Sequence, residues 1–104
     1  MITECSWCGK KFSHDDKIIL LASKVDKSSG DITGDELKAM EGQSINVLFY
    51  SPAKNFKAYV PYSNDLICKA GNDIVFCACS ISCIQALSEA IQKSKKLVVS
   101  NIEH

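Results

Sequence analysis

The sequence predicts an α+β fold, antiparallel β-hairpins followed by a C-terminal helix, on three observations. Short apolar runs alternate with turn signals along most of the chain. One longer stretch, from Ser80 to about Lys96, carries helical spacing. Cysteines stand in close pairs near both ends, in Cys5-Ser6-Trp7-Cys8 and in Cys79-Ser80-Ile81-Ser82-Cys83.

The first two observations place the elements. After Cys5 to Phe12, read as a knuckle with a short extended segment, Ser13-His14-Asp15-Asp16 is a turn. Lys17 to Val25 contains Ile18, Ile19, Leu20 and Leu21, a buried-strand pattern. Asp26 to Asp31 is a polar loop. Thr33 and Glu36 have capping-box spacing, so a helix over Gly34–Glu41 is expected to stop at Gly42. Ile45–Tyr50 and Phe56–Val60 form a hairpin around Ser51-Pro52-Ala53-Lys54-Asn55. Leu66–Lys69 and Ile74–Ala78 flank Ala70-Gly71-Asn72-Asp73, a second hairpin signal. In the final helix Ile84, Leu87, Ala90 and Ile91 recur at spacings of three and four, which puts them on one face. Lys93, Lys95 and Lys96 suit the negative end of its dipole. Leu97–Ile102 reads as a terminal strand or a tail.

Size and composition limit what such a fold can be. With 104 residues, 46% of them hydrophobic and 23% charged, one globular domain over 1–104 is expected rather than a disordered chain. A core this small is often supplemented by a metal or disulfides. Twelve lysines balance twelve acidic residues and there is no arginine, which weighs against a dedicated duplex-DNA reader. No stretch reaches the roughly 18–20 apolar residues of a membrane span. The first ten residues lack the apolar region of a signal peptide. A cytoplasmic location is therefore expected, and six cysteines in a reducing compartment favour metal over disulfides.

The paired cysteines suit one tetrahedral zinc. Four thiolates at about 2.3 Å from the ion place the sulfurs roughly 3.8 Å apart. A CxxC segment reaches that spacing when its backbone curls into a knuckle, and Gly9 is expected to relieve crowding there. Cys79 and Cys83 share one face if the helix starts near Ser80, a good N-cap. The helix N-terminus, Lys10 and Lys11 would offset the formal −2 charge of such a centre. The expected ligands are Cys5, Cys8, Cys79 and Cys83. Cys77 in place of Cys79 is the alternative, with six-residue spacing to Cys83. Otherwise Cys68 and Cys77, on opposite strands of the expected last hairpin, read as small buried hydrophobes.

The knuckle Cys5-Ser6-Trp7-Cys8-Gly9-Lys10 and the run Ile74-Val75-Phe76-Cys77-Ala78-Cys79-Ser80-Ile81-Ser82-Cys83 together resemble the treble-clef zinc-finger superfamily. The resemblance covers roughly 3–12 and 65–95. It implies a knuckle, a hairpin, and a helix whose first turn carries the second ligand pair. Residues 13–64 would then be an insertion, longer than compact members have. A Cys2His2 finger is excluded, because Leu21 and Val25 stand where its histidines would fall. A thiol-redox motif lacks a βαβ context and leaves the second pair unexplained.

Four thiolates leave no open position for water, and no HxE, HExxH or Walker motif accompanies them. His14 reads as a solvated turn residue. The expected function is therefore non-enzymatic: a zinc-stabilised module that docks on a protein partner, acting as a regulator or inhibitor. Trp7 either covers the metal or makes contacts at the surface. Tyr50, Tyr59 and Tyr62 are the other contact candidates, with Phe49 and Phe56 assigned to the core. The rival is nucleic-acid binding, with Lys54 and Lys57 among the aromatics to grip a single strand.

Overall fold

A computed structural model describes residues 3–25, 34–50, 53–94 and 97–102. It is a small, compact α+β domain: a curled, five-stranded antiparallel sheet with a helix packed on it. The elements are β1 (Ile19–Ser23), α1 (Gly34–Lys38), β2 (Ser44–Tyr50), β3 (Ala53–Tyr59), α2 (Leu66–Lys69), β4 (Ile74–Ala78), α3 (Ile81–Ser94) and β5 (Val98–Ile102). The strand order is β1-β4-β3-β2-β5.

β2 shows why alternation makes a strand. Ile45, Val47 and Phe49 are fully buried, while Asn46, Leu48 and Tyr50 face away from the main core. Tyr50 pairs with Ala53, so Ala53, Lys54 and Asn55 belong to β3 and not to the predicted five-residue loop. Phe49 meets Phe56 and Phe76 edge-on, with ring centroids 4.8 and 5.6 Å away, which fixes the aromatic centre of the core.

α3 follows its predicted stripe. Cys83, Leu87, Ala90 and Ser94 are buried, and Ile84 and Ile91 pack against the same cluster. Burying Leu87 fully stabilises the packing by roughly 1.5–3 kcal/mol. The Ser80 hydroxyl accepts the Cys83 N–H at 3.3 Å, the cap expected at the helix start. At the other end the Ser94 hydroxyl accepts the Tyr50 N–H at 3.1 Å and ties the helix to β2. Within the segment expected as a strand or a tail, Val98–Ile102 form a strand, β5, paired with β2.

Four local expectations change. The segment over 66–69 is a short helix, not a strand. Asp65 accepts the Ile67 N–H at 2.9 Å and caps it, so the apolar Leu-Ile-Cys run coils instead of extending. The closing hairpin is therefore absent, and Cys68 does not lie across from Cys77. β4 pairs instead with β1 along its length and with β3 at Tyr59–Val75. Helix α1 ends at Lys38, and turns then carry the chain to Gly42, whose φ of +77° and N–H bond to Val60 O at 2.7 Å complete the stop. β1 is shorter than Lys17–Val25. The Thr33 cap, the loop over 26–31, Lys95 and Lys96 lie outside the described residues.

Residues 13–64 supply three of the five strands. They are framework for the sheet, not an appendage to a separate finger. No helix among the described residues is long and apolar enough to cross a membrane.

Candidate metal centre

The N-terminal knuckle is a miniature hairpin. Glu4 and Lys11 form a bridge, Phe12 N–H donates to Thr3 O at 2.9 Å, and Cys5 N–H donates to Lys10 O at 2.8 Å. Gly9 N–H then closes onto Cys5 O at 3.0 Å. Gly9 has φ +78°, a conformation that side chains resist. A Cβ there would meet nothing within 4 Å, so the glycine serves the backbone conformation, and the expectation that it relieves crowding does not hold.

Two contacts seat this knuckle on the sheet. Ser6 N–H donates to Cys77 O at 2.7 Å, and the Ser6 hydroxyl accepts the Cys77 N–H at 3.0 Å. Trp7 is half-buried and stacks on Phe56, with ring centroids 4.9 Å apart and planes inclined by 10°. Around the rim, Lys57 pairs with Glu4 at 3.1 Å, and Lys54 lies 5.5 Å above the Phe56 ring. No local pattern marks Ser6 for this part. Its role depends on the strand register at Cys77, for which the local sequence carries no signal. Replacing Ser6 with Ala is expected to leave the buried Cys77 N–H without its acceptor and cost about 1–3 kcal/mol, readable in urea unfolding.

The strand β4 delivers the chain to Cys79, and the first turn of α3 brings Cys83 beside it. The thiols of Cys5, Cys8, Cys79 and Cys83 consequently lie within 4.8 Å of one another. Cys8 Sγ and Cys79 Sγ are 3.6 Å apart, and Cys79 Sγ and Cys83 Sγ are 3.8 Å apart. Those separations match the roughly 3.8 Å edges of a tetrahedral four-thiolate zinc. All four predicted ligands are thus brought together at metal-binding distance. Cys77 is buried in β4 outside this quartet, and Cys68 lies half-buried in α2, beside a cavity of about 90 Å³ lined by Leu37, Val60 and Pro61.

The protonation pattern already favours a thiolate at one corner. Burial would push the Cys5 thiol up, but N–H groups of Cys8, Cys79 and Trp7 together bring it down to about 7. Cys79 is pushed up to about 12, first by its hydrogen bond to Cys8 and then by burial. Cys83 is raised: the Ser80 hydroxyl lowers it, but burial and the bond toward Cys5 outweigh that. Burial and the nearby Cys5 also raise Cys77. Lys10 Nζ lies 3.9 Å from Asp16.

The contact candidates occupy different surroundings. Tyr50 and Tyr62 are 55% and 60% exposed. Tyr59 is half-buried, and burial raises its phenol, aided by Cys77 and Asp65. Phe49 and Phe56 are core residues, as expected. His14 is exposed.

No known protein family, curated protein or solved structure matches the chain.

Proposed function

We propose that this chain is a small zinc-stabilised binding module of treble-clef type that docks on another protein as a regulator or inhibitor. The four converging thiols carry the reading. Four soft donors at tetrahedral spacing suit Zn²⁺ and would fill its coordination shell, so the ion's contribution would be to the fold and not to catalysis. The exposed rings of Tyr50 and Tyr62 supply the kind of contact surface that protein interfaces favour, while Trp7 is half-buried with its ring stacked on Phe56. Zero net charge and the lack of arginine favour a protein over a nucleic acid.

The test pairs two baits, the wild-type chain and a Tyr50→Ala/Tyr62→Ala variant with equal zinc content. A protein held by the wild type at high salt and lost from the variant supports the reading. Binding that nuclease removes, or that collapses as salt rises, supports the nucleic-acid alternative.

Zinc affinity should also depend on pH in a defined way. Zinc binds thiolates, so each protonated ligand must release its proton. Above about pH 7 Cys5 is already ionised; below it, Cys5 adds its proton to those displaced. Affinity is therefore expected to fall as pH drops, more steeply by one proton per zinc below about pH 7. Competition titration against a chromophoric chelator at several pH values reads that slope.

A further inference from the structure

We propose, resting on the zinc reading above, that the metal centre is also an oxidation-sensitive release site: hydrogen peroxide converts Cys8 and Cys79 to a disulfide and frees the ion. With zinc bound, all four sulfurs are thiolates, the form that attacks an oxidant. Exposure then decides which of them reacts. The four differ in this respect. Cys5 and Cys83 are 2% and 8% exposed and belong to the hydrophobic core. Cys8 is exposed and Cys79 is half-buried.

The fold produces this grading. Cys5 begins the knuckle, where its N–H and C=O close the miniature hairpin through Lys10 and Gly9, and its side chain packs into the core. Cys8 lies on the turn just before Gly9 and stays at the surface. On the other side of the centre, Cys79 stands between the end of β4 and the start of α3. Cys83, one turn further on, belongs to the buried stripe of the helix. The two thiols that solvent reaches are also neighbours, with their sulfurs 3.6 Å apart. Side-chain movement across that short gap brings them to bonding distance.

The chemistry is a two-electron oxidation. The Cys8 sulfur attacks one peroxide oxygen, the O–O bond breaks, and the departing hydroxide takes a proton from solvent to become water. Cys8 is then a sulfenic acid, S–OH, and no longer a thiolate ligand. The Cys79 thiolate attacks the Cys8 sulfur, the S–S bond forms, the S–O bond breaks, and a second hydroxide leaves to become water. The two sulfurs have together lost two electrons, and hydrogen peroxide has been reduced to two waters. Cys5 and Cys83 alone do not fill a four-coordinate shell, so the ion is released. The new bond joins the knuckle to the start of α3, the same two segments that the ion would join, and a dithiol reductant reverses it.

The test adds hydrogen peroxide to the reduced, zinc-loaded full chain in the presence of a chromophoric chelator and maps the products by mass spectrometry. One zinc released for each Cys8–Cys79 disulfide, with a sulfenic-acid trap labelling Cys8, is the expected result. Dithiothreitol and added zinc should then restore the loaded form. Substituting Cys8 would itself weaken zinc binding, so the controls are Cys68→Ser and Cys77→Ser, which remove the two thiols outside the quartet. Zinc content and circular dichroism confirm that each control remains folded, and both should release zinc at the wild-type rate. Slower release from either control places the first oxidation outside the centre and overturns the proposal. A disulfide within the knuckle, between Cys5 and Cys8, overturns it as well, as does zinc retained in excess peroxide. These three results leave the metal reading standing. A reduced wild-type chain that holds no zinc overturns both.

Discussion

Replacing Cys79 with Ser is expected to remove bound zinc and, with it, the cooperative fold. The thiols of Cys8, Cys79 and Cys83 form a chain of contacts at 3.6 and 3.8 Å, with Cys79 in the middle. A serine hydroxyl stays protonated near neutral pH and is a poor zinc donor. Structural zinc contributes apparent binding energies of about 10–16 kcal/mol, comparable to the whole stability of a small domain at about 5–15 kcal/mol. The ion would also join the knuckle to the α3 start across the entire sheet-forming segment. Elemental analysis should give one zinc per wild-type chain and none for Cys79→Ser, whose circular-dichroism melt should lose its sharp transition. A chelator should do the same to the wild type. Cys77→Ser and Cys68→Ser should keep their zinc. The reverse pattern, metal lost with Cys77 and kept without Cys79, would transfer the ligand role to Cys77.

Some of this geometry is legible in the sequence because it is local. A CxxC followed by glycine specifies a knuckle, and cysteines four apart across a serine cap specify a shared helix face. The α3 stripe is legible for the same reason: helical periodicity is written within one segment. At 66–69 the local signals conflict. Leu66, Ile67 and Cys68 are apolar enough for a strand, yet Asp65 caps them into a helical turn that leaves Leu66 81% exposed. Strand partnership was the least legible feature. The pairing of β4 with β1 joins Leu20 to Cys77 across most of the chain, and no local pattern encodes such a register. Ser6 follows from that register and so was invisible with it. Tyr59 shows the same limit: alternation puts it opposite Phe56 and Ala58, but only the pairing with Val75 explains why it is half-buried.

Phe56→Ala should reach beyond the core and weaken the metal centre. Phe56 is buried between two unlike neighbours: Phe49 meets it edge-on at 4.8 Å, and Trp7 stacks on it at 4.9 Å. Truncating a buried phenylalanine costs about 3–5 kcal/mol through lost transfer energy and the cavity left behind. Each aromatic pair adds about 0.5–1.5 kcal/mol beyond its buried area. The loss approaches the total stability of a small domain, so the metal-free variant is expected to be largely unfolded. The consequence for the site comes through Trp7, which stands between Cys5 and Cys8. Without the Phe56 ring, only the Ser6–Cys77 bridge and the Lys57–Glu4 pair hold the knuckle to the sheet among the contacts described above. The knuckle thiols then have to be ordered as zinc binds, and affinity should fall at least about tenfold, a cost of about 1.4 kcal/mol. Leu87→Ala is the matched control: it also empties the core, but Leu87 lies on the α3 stripe and takes no part in the Trp7–Phe56 stack. If both variants lose zinc affinity in proportion to stability, the metal senses only global folding. A larger loss for Phe56→Ala at equal destabilisation shows that the aromatic stack positions the knuckle.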